Sequence, residues 1–323
     1  MSASRPALAA IDSYGDVFSA VVASVGRVVV GKEEAVRLTL ACLLAQGHML
    51  IEDVPGVGKT VLAKALAASL ECTWGRIQFT SDLLPSDVTG VTVYNRSSSA
   101  FEFRPGGIFA NLVLGDEVNR ASPKTQSALL EAMEERQVTA DGTTHVLPSP
   151  FMVIATQNPV DHEGTYPLPE SQLDRFLMRI AMGYPSRAAE IAVLDTHSRN
   201  SVVANLTPVA SLGDIEHMIL VAQSIHVAPS LKAYIVDLAS ATRHHRDLAL
   251  GASPRAALGL LRSARAWAAA AGREYVVPDD IKALAGPVLE HRLVLNTEAS
   301  IRGATRNDVL AQILNHIPIA TGR

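Results

Sequence analysis

The sequence predicts an α/β domain built on a parallel sheet, followed by a smaller, all-helical domain. Three observations carry that prediction. Short apolar runs of strand length alternate with helix-length segments through residues 1–186, the pattern of a parallel sheet with helices on both faces. One of the strand-to-helix joints is a glycine-rich loop. From about Arg187 to Arg323 the pattern turns helical almost throughout, broken at Pro208, Pro229, Gly251–Pro254 and Pro278. No low-complexity linker and no internal repeat separates the two parts.

Composition agrees with two folded domains in 323 residues. Hydrophobic residues make up 48% and charged residues 19%, which excludes a disordered chain. The net charge of -4 leaves no broad basic field, so nucleic acid is not an expected partner. Met1 to Tyr14 has one arginine and no long apolar core, unlike a signal peptide. Leu38 to Ala45 is too short to cross a bilayer, and the expected location is the cytoplasm. Cys42 and Cys72 have no CxxC partner and read as packing residues of a reducing compartment.

Element by element, Leu38–Ala45 belongs to a helical pattern, and His48–Asp53 reads as a short buried strand. Thr60–Leu70, rich in alanine and leucine, reads as a helix. Arg76–Thr80 and the stronger Asn111–Gly115 read as strands. Ser122–Glu135 reads as a helix capped by Ser122 with Pro123 in its first turn. Phe151–Thr156 and Phe176–Ala181 complete the strands. Two segments interrupt the alternation. Residues 84–103 hold Pro85, Gly90 and the run Ser97–Ser99, and read as an insertion. Residues 137–147 alternate weakly around Asp141–Gly142, a dipeptide suited to a two-residue hairpin turn. In the second part Leu231–Arg243, Pro254–Ala271 and Asp279–His291 read as three helices.

The central chemical signal is Asp53-Val54-Pro55-Gly56-Val57-Gly58-Lys59-Thr60, between a strand and a helix that continues with Val61. Glycines let backbone N–H groups approach phosphate oxygens, and a helix N-terminus adds partial positive charge. Lys59 would reach the β- and γ-phosphates of ATP, and the Thr60 hydroxyl would bind Mg²⁺. The usual motif opens with glycine where this chain has Asp53; Gly56 and Gly58 still supply the turn. The strand Leu112–Gly115 ends in Asp116-Glu117. Asp116 would hold Mg²⁺ and Glu117 would orient the attacking water. Asn158 follows another strand, where the ends of parallel strands converge on a ligand. Arg255 lies in the first turn of a helix, where the macrodipole disfavours a cation that lacks an anionic partner. His291-Arg292 ends a helix and His244-His245 point to different faces; both pairs read as structural or exposed.

Five blocks taken together resemble the MoxR branch of the AAA+ ATPases. They are Glu52 to Thr60, Gly115 to Ala121, Ala155 to Pro159, Leu173-Asp174-Arg175-Phe176, and Gly251 to Ala256. The resemblance implies an AAA+ core of the α/β P-loop NTPase fold with a C-terminal helical lid. It makes Asn158 the sensor 1 residue, Arg175 an arginine finger for a neighbouring subunit, and Arg255 sensor 2. Val29 to Gly31, with Val30 between, is similar to the segment that packs near adenine. The 84–103 insertion and the Asp141–Gly142 hairpin look like the inserts of this clade. It further implies a Mg²⁺-dependent ATPase, a hexameric ring, remodelling or maturation of partner proteins, and partners with von Willebrand factor A domains. On this reading the nucleotide meets Lys59 of the α/β domain and Arg255 of its own lid, while a neighbour's Arg175 completes the site. Arg179, four residues beyond Arg175, competes for the finger role. Alternatives are the ATPase subunit of a metal chelatase, a DNA motor, and a slow nucleotide-dependent adaptor.

Overall fold

The computed structural model describes residues 8–158, 165–197 and 206–318. Residues 1–7 of the N-terminal stretch and Pro159 of the 155–159 block lie outside them. In chain order the first part holds helices α1 (Leu8–Gly26) and α2 (Glu33–Leu44), strand β1 (Met49–Glu52), α3 (Lys59–Ser69) and β2 (Trp74–Gln78). Next come α4 (Pro85–Thr89), β3 (Gly90–Asn95), β4 (Ala100–Pro105), β5 (Leu112–Asp116), α5 (Pro123–Glu135), β6 (Gln137–Ala140) and β7 (Thr143–Val146). Then follow β8 (Met152–Gln157), α6 (Glu170–Leu173), β9 (Met178–Ile180) and α7 (Arg187–His197).

Five strands form one parallel sheet in the order β2-β5-β8-β1-β9. Successive side chains alternate between its faces. Met49, Ile51, Leu112, Leu114, Met152 and Ile154 join one core, with α1, α2 and α3. Leu50, Val113, Val153 and Ala155 join a second core, with α5. Both faces are covered, which is why the central strands read as continuous apolar runs. Gly47 permits the close start of β1: a side chain there would meet Leu177 at 2.1 Å.

The remaining chain holds α8 (Leu212–Ser224), α9 (Pro229–His244), β10 (Leu248–Leu250), α10 (Pro254–Ala270), α11 (Pro278–Leu289), β11 (Val294–Leu295), α12 (Thr297–Ile301) and α13 (Arg306–His316). Here the sequence expectation was purely helical. The short antiparallel pair β10–β11 adds a small ribbon too brief to show periodicity. These helices do not stand apart from the first core. Tyr14 of α1 donates to the Ala266 carbonyl of α10 at 3.1 Å. The Arg37 guanidinium lies 5.4 Å from the Phe18 ring and 5.2 Å from the Trp267 ring, tying α2 to α1 and α10.

The two interrupting segments have definite form. The insertion at residues 84–103 contains α4 and most of an antiparallel hairpin, β3–β4. Residues 137–147 contain the β6–β7 hairpin, and its turn residues Asp141 and Gly142 have φ of 49° and 78°. The hairpins meet where Phe103 stacks on His145, ring centres 3.7 Å apart.

Candidate functional site

The loop after β1 is shaped by its glycines. Gly56 and Gly58 have φ of 86° and 97°, and Gly58 caps α3 in the left-handed region. A side chain at Gly56 would meet nothing within 4 Å, so space lies open beside that glycine. Lys59 folds over the loop and donates to the Asp53 carbonyl at 2.5 Å. Burial pulls its ammonium below the usual lysine range, against the opposing pull of Asp53, Asp116, Glu117 and Glu52. Four carboxylates around one lysine, on a loop with two left-handed glycines that opens into a helix N-terminus, fit a nucleotide phosphate chain accompanied by a divalent cation. Among the described residues no group of three or more acidic, histidine or cysteine side chains converges to hold a metal alone. Mg²⁺ on Thr60 and Asp116 would therefore draw its other ligands from phosphate and water.

Asp53, in the position where glycine is usual, has a defined job. One carboxylate oxygen accepts from Val54 N–H at 2.8 Å and the other from Gly183 N–H at 2.5 Å. The loop is thereby pinned to the segment after β9. Lys32 grips the same segment, donating to the carbonyls of Met182, Gly183 and Tyr184 at 2.6, 2.9 and 2.8 Å. Val30 and Gly31 thus stand beside the loop through one shared strap, and a side chain at Gly58 would come 4.0 Å from Met182.

The acidic pair at the end of β5 is organised by a residue that pattern reading passed over. The Thr156 hydroxyl, buried at the end of β8, donates to Asp116 at 2.7 Å and accepts from Glu117 N–H at 2.9 Å. Glu117 itself is left-handed, with φ 58° and ψ 51°. Its carboxylate accepts from Arg120 at 2.9 Å and Gln78 at 3.2 Å. Asp116 also accepts from Arg76 of β2 at 2.6 Å. The only sequence signals for these residues were polar side chains at the ends of apolar strands. Asn158 follows β8 directly, one residue past the Glu52–Gln157 pairing, and so adjoins the start of the loop.

The arginines divide differently from the sequence expectation. Met49 pairs with Met178 in parallel, so Arg175 lies level with the start of β1. The phosphate loop leaves the other end, about 13 Å away along a four-residue strand. Arg255 lies beside Arg175: both are paired to Glu134 at the end of α5, Arg175 at 3.2 Å. Arg255 therefore does not lie over the nucleotide loop of its own chain, and that expectation is corrected. The reason is the anchoring of its helix. The α10 cap, Ser253, donates to Asp174 at 3.0 Å, and Asp174 also receives the buried Arg292 at 2.7 Å. Arg292 further donates to the Phe176 carbonyl at 2.6 Å. His291 is buried beside it, held neutral by burial and by the Arg292 charge. Arg179 is engaged elsewhere, bridging Glu52 at 2.7 Å and Glu290 at 3.3 Å with little exposure. It acts as a strut between β1 and the turn after α11, which leaves Arg175 as the finger candidate.

The model of the ATPase family associated with various cellular activities (AAA) matches residues 48–178, and the AAA lid domain model matches residues 240–313. Chaperone MoxR1 of Mycobacterium tuberculosis is 40% identical over 91% of this chain and 80% of its own. This chain belongs to the MoxR family of AAA+ ATPases. Another relative, the uncharacterized protein YeaC of Bacillus subtilis, is 49% identical over 94% of each chain. A crystal structure from Cytophaga hutchinsonii superposes with a TM-score of 0.92 at 39% identity, over 97% of this chain and 98% of that one. The fold is thus the AAA+ core with its lid, and ATP hydrolysis is the activity of the MoxR-type family to which it belongs.

Proposed function

We propose that this MoxR-type chain hydrolyses Mg²⁺-ATP at sites completed between the subunits of a hexameric ring. The ring would use the cycle to remodel or mature a partner protein bearing a von Willebrand factor A domain. One observation carries the reading: Arg175 and Arg255 converge at the sheet edge opposite their own phosphate loop. Two guanidiniums so placed have no phosphate to serve within their own chain, and a neighbour's nucleotide supplies one. A planar guanidinium suits the charge that develops on a transferring phosphoryl group.

Within one subunit, the loop from Val54 to Val61 would cradle the phosphates and Lys59 would exchange its carbonyl contacts for β- and γ-phosphate oxygens. Thr60 and Asp116 would hold Mg²⁺, which would supply neutralisation of phosphate charge. Glu117 would turn from Arg120 and Gln78 to polarise the attacking water, with Asn158 beside it. Loss of the γ-phosphate would release the neighbour's arginines, and the α10 anchoring would pass that release to the lid. We assign the ring to the cytoplasm, where ATP is held and the unpaired Cys42 and Cys72 stay reduced. Among the described residues no helix is long and apolar enough to cross a membrane.

The test is ATP hydrolysis measured against protein concentration for the native chain, Glu117→Gln and Arg175→Ala. A specific rate that rises with concentration and collapses in both variants is expected. A rate independent of concentration and insensitive to Arg175→Ala would withdraw the intersubunit site and the ring with it.

A further inference from the structure

Glu134 is one carboxylate with two partners. Its two oxygens pair separately with Arg175, on the loop before β9, and with Arg255, on the first turn of α10. The three residues lie on three different elements and line one cavity of about 200 Å³ at the N-terminal edge of the sheet. Arg136, Arg262 and Arg292 line it too, and the other acid there, Asp174, is taken by Arg292 and Ser253. Arg262 has Arg136 and Arg255 as charged neighbours. The cavity is therefore strongly cationic, and like charges crowded together separate unless an anion holds them.

We propose that Glu134 is a positioning residue for the neighbouring subunit's ATP: it holds Arg175 and Arg255 together and aimed as one clamp for that nucleotide's phosphates. The inference rests on the intersubunit site described under Proposed function. Without the carboxylate, Arg255 faces the positive end of its own helix and the repulsion of Arg175 and Arg262, and swings toward solvent. One carboxylate cannot neutralise both guanidiniums, so the pair keeps a net positive charge for an incoming phosphate. Glu134 does not belong to the phosphate loop of its own chain, which separates its effect from ordinary nucleotide binding.

The experiment uses the full chain with Glu134→Gln, which keeps the shape and removes the charge. Three readings are taken: the thermal midpoint, the affinity of the dilute protein for a fluorescent non-hydrolysable ATP analogue, and kcat at high concentration. The expected result is an unchanged midpoint and affinity with kcat lower by about ten- to a hundredfold. The variant is then mixed with Glu117→Gln subunits, which are inactive but carry intact arginines. Activity should return on mixing, since the Glu134→Gln subunit's own site is sound and its neighbour now supplies the clamp. An unaffected kcat overturns the proposal. So does a loss that mixing does not restore while an Arg175→Ala mixture is restored, because Glu134 then acts within its own subunit. If neither mixture is restored, the intersubunit reading itself fails, and this inference with it.

Discussion

Replacing Thr156 by valine tests whether one buried hydroxyl sets the hydrolytic carboxylates. Valine keeps the shape and the β-branching suited to β8, so packing changes little. Two interactions vanish. Asp116 loses a donor at 2.7 Å, and Glu117 N–H loses its acceptor at 2.9 Å. A hydrogen bond to a charged group contributes about 1.5–3 kcal/mol, and stranding the part-buried Glu117 N–H costs about 1 kcal/mol, the low end for a buried donor. The second loss is aggravated because Glu117 is left-handed, a conformation that costs a non-glycine residue about 1–2 kcal/mol. Once released, Glu117 can relax, so the terms overlap rather than add; a net loss of about 2–4 kcal/mol follows. At about 2 °C per kcal/mol for a chain of this size, the thermal midpoint falls by about 4–8 °C. Relaxation of Glu117 also moves its carboxylate, and a displacement near 1 Å costs turnover about a hundredfold. Scanning fluorimetry and steady-state phosphate release read both effects, and Thr156→Ser, which keeps the hydroxyl, should restore most of each. Native turnover in Thr156→Val, with a midpoint shift under about 1 °C, would refute the idea that this hydroxyl organises the pair.

Other expectations follow from the same geometry. Gly58→Ala forces a β-carbon into φ 97°, and should destabilise the chain by about 1–2 kcal/mol and weaken ATP binding in a fluorescent-analogue titration. Arg76→Met removes the ion pair on Asp116, so the Mg²⁺ concentration for half-maximal analogue binding should fall about two- to fivefold, within the modest worth of an exposed pair; a rise would contradict it. Arg292→Met leaves Asp174 with Ser253 but without its buried guanidinium partner and should cost about 3–5 kcal/mol in chemical denaturation, with α10 loosened in hydrogen exchange. His48 is buried, accepts from Val153 N–H at 3.0 Å and faces the Met133 carbonyl at 3.0 Å, and burial pushes it down to about 4. Its folded value lies below the unfolded value near 6.5, so its stability contribution is complete above about pH 6.5 and erodes as pH falls toward 4, by up to about 3 kcal/mol. Midpoints measured from pH 7.5 to 4.5 should decline over that window, less steeply in His48→Asn; a flat profile would count against the buried neutral imidazole.

How much of this was legible in the sequence depends on how local the physics is. The strand–loop–helix around Gly56 to Thr60 could be read because glycine freedom, helix start and apolar strand all lie within a dozen residues. So could the Ser122 cap, which accepts from Thr125 N–H at 3.4 Å, and the Asp141–Gly142 turn. The β3–β4 hairpin reads only as an insertion, without strands, because much of it is exposed and no buried face imposes a period on its side chains. Helix α1 escaped notice because it has no acidic residue in its first turn and no basic one in its last; burial of Tyr14, Phe18 and Val21 against α10 holds it instead.

The arginines show where local reading ends. Sequence could nominate Arg175 and Arg255 as cations in need of an anion, but not the edge of the sheet on which they stand. That is decided by the Ser253–Asp174–Arg292 anchorage and by α10 packing on α1 and α2, contacts between residues 79 to 252 positions apart. Glu134, 121 positions from Arg255, looks in the sequence like any exposed helical acid. Its place between two guanidiniums changes what those guanidiniums can do. Unpaired, each would be a mobile surface charge with high side-chain entropy to lose on binding phosphate. Held by one carboxylate, they have already lost that freedom and still carry net positive charge. On the proposed reading, the phosphate loop at one edge and this prepared clamp at the other are two halves of a site that a single chain cannot close.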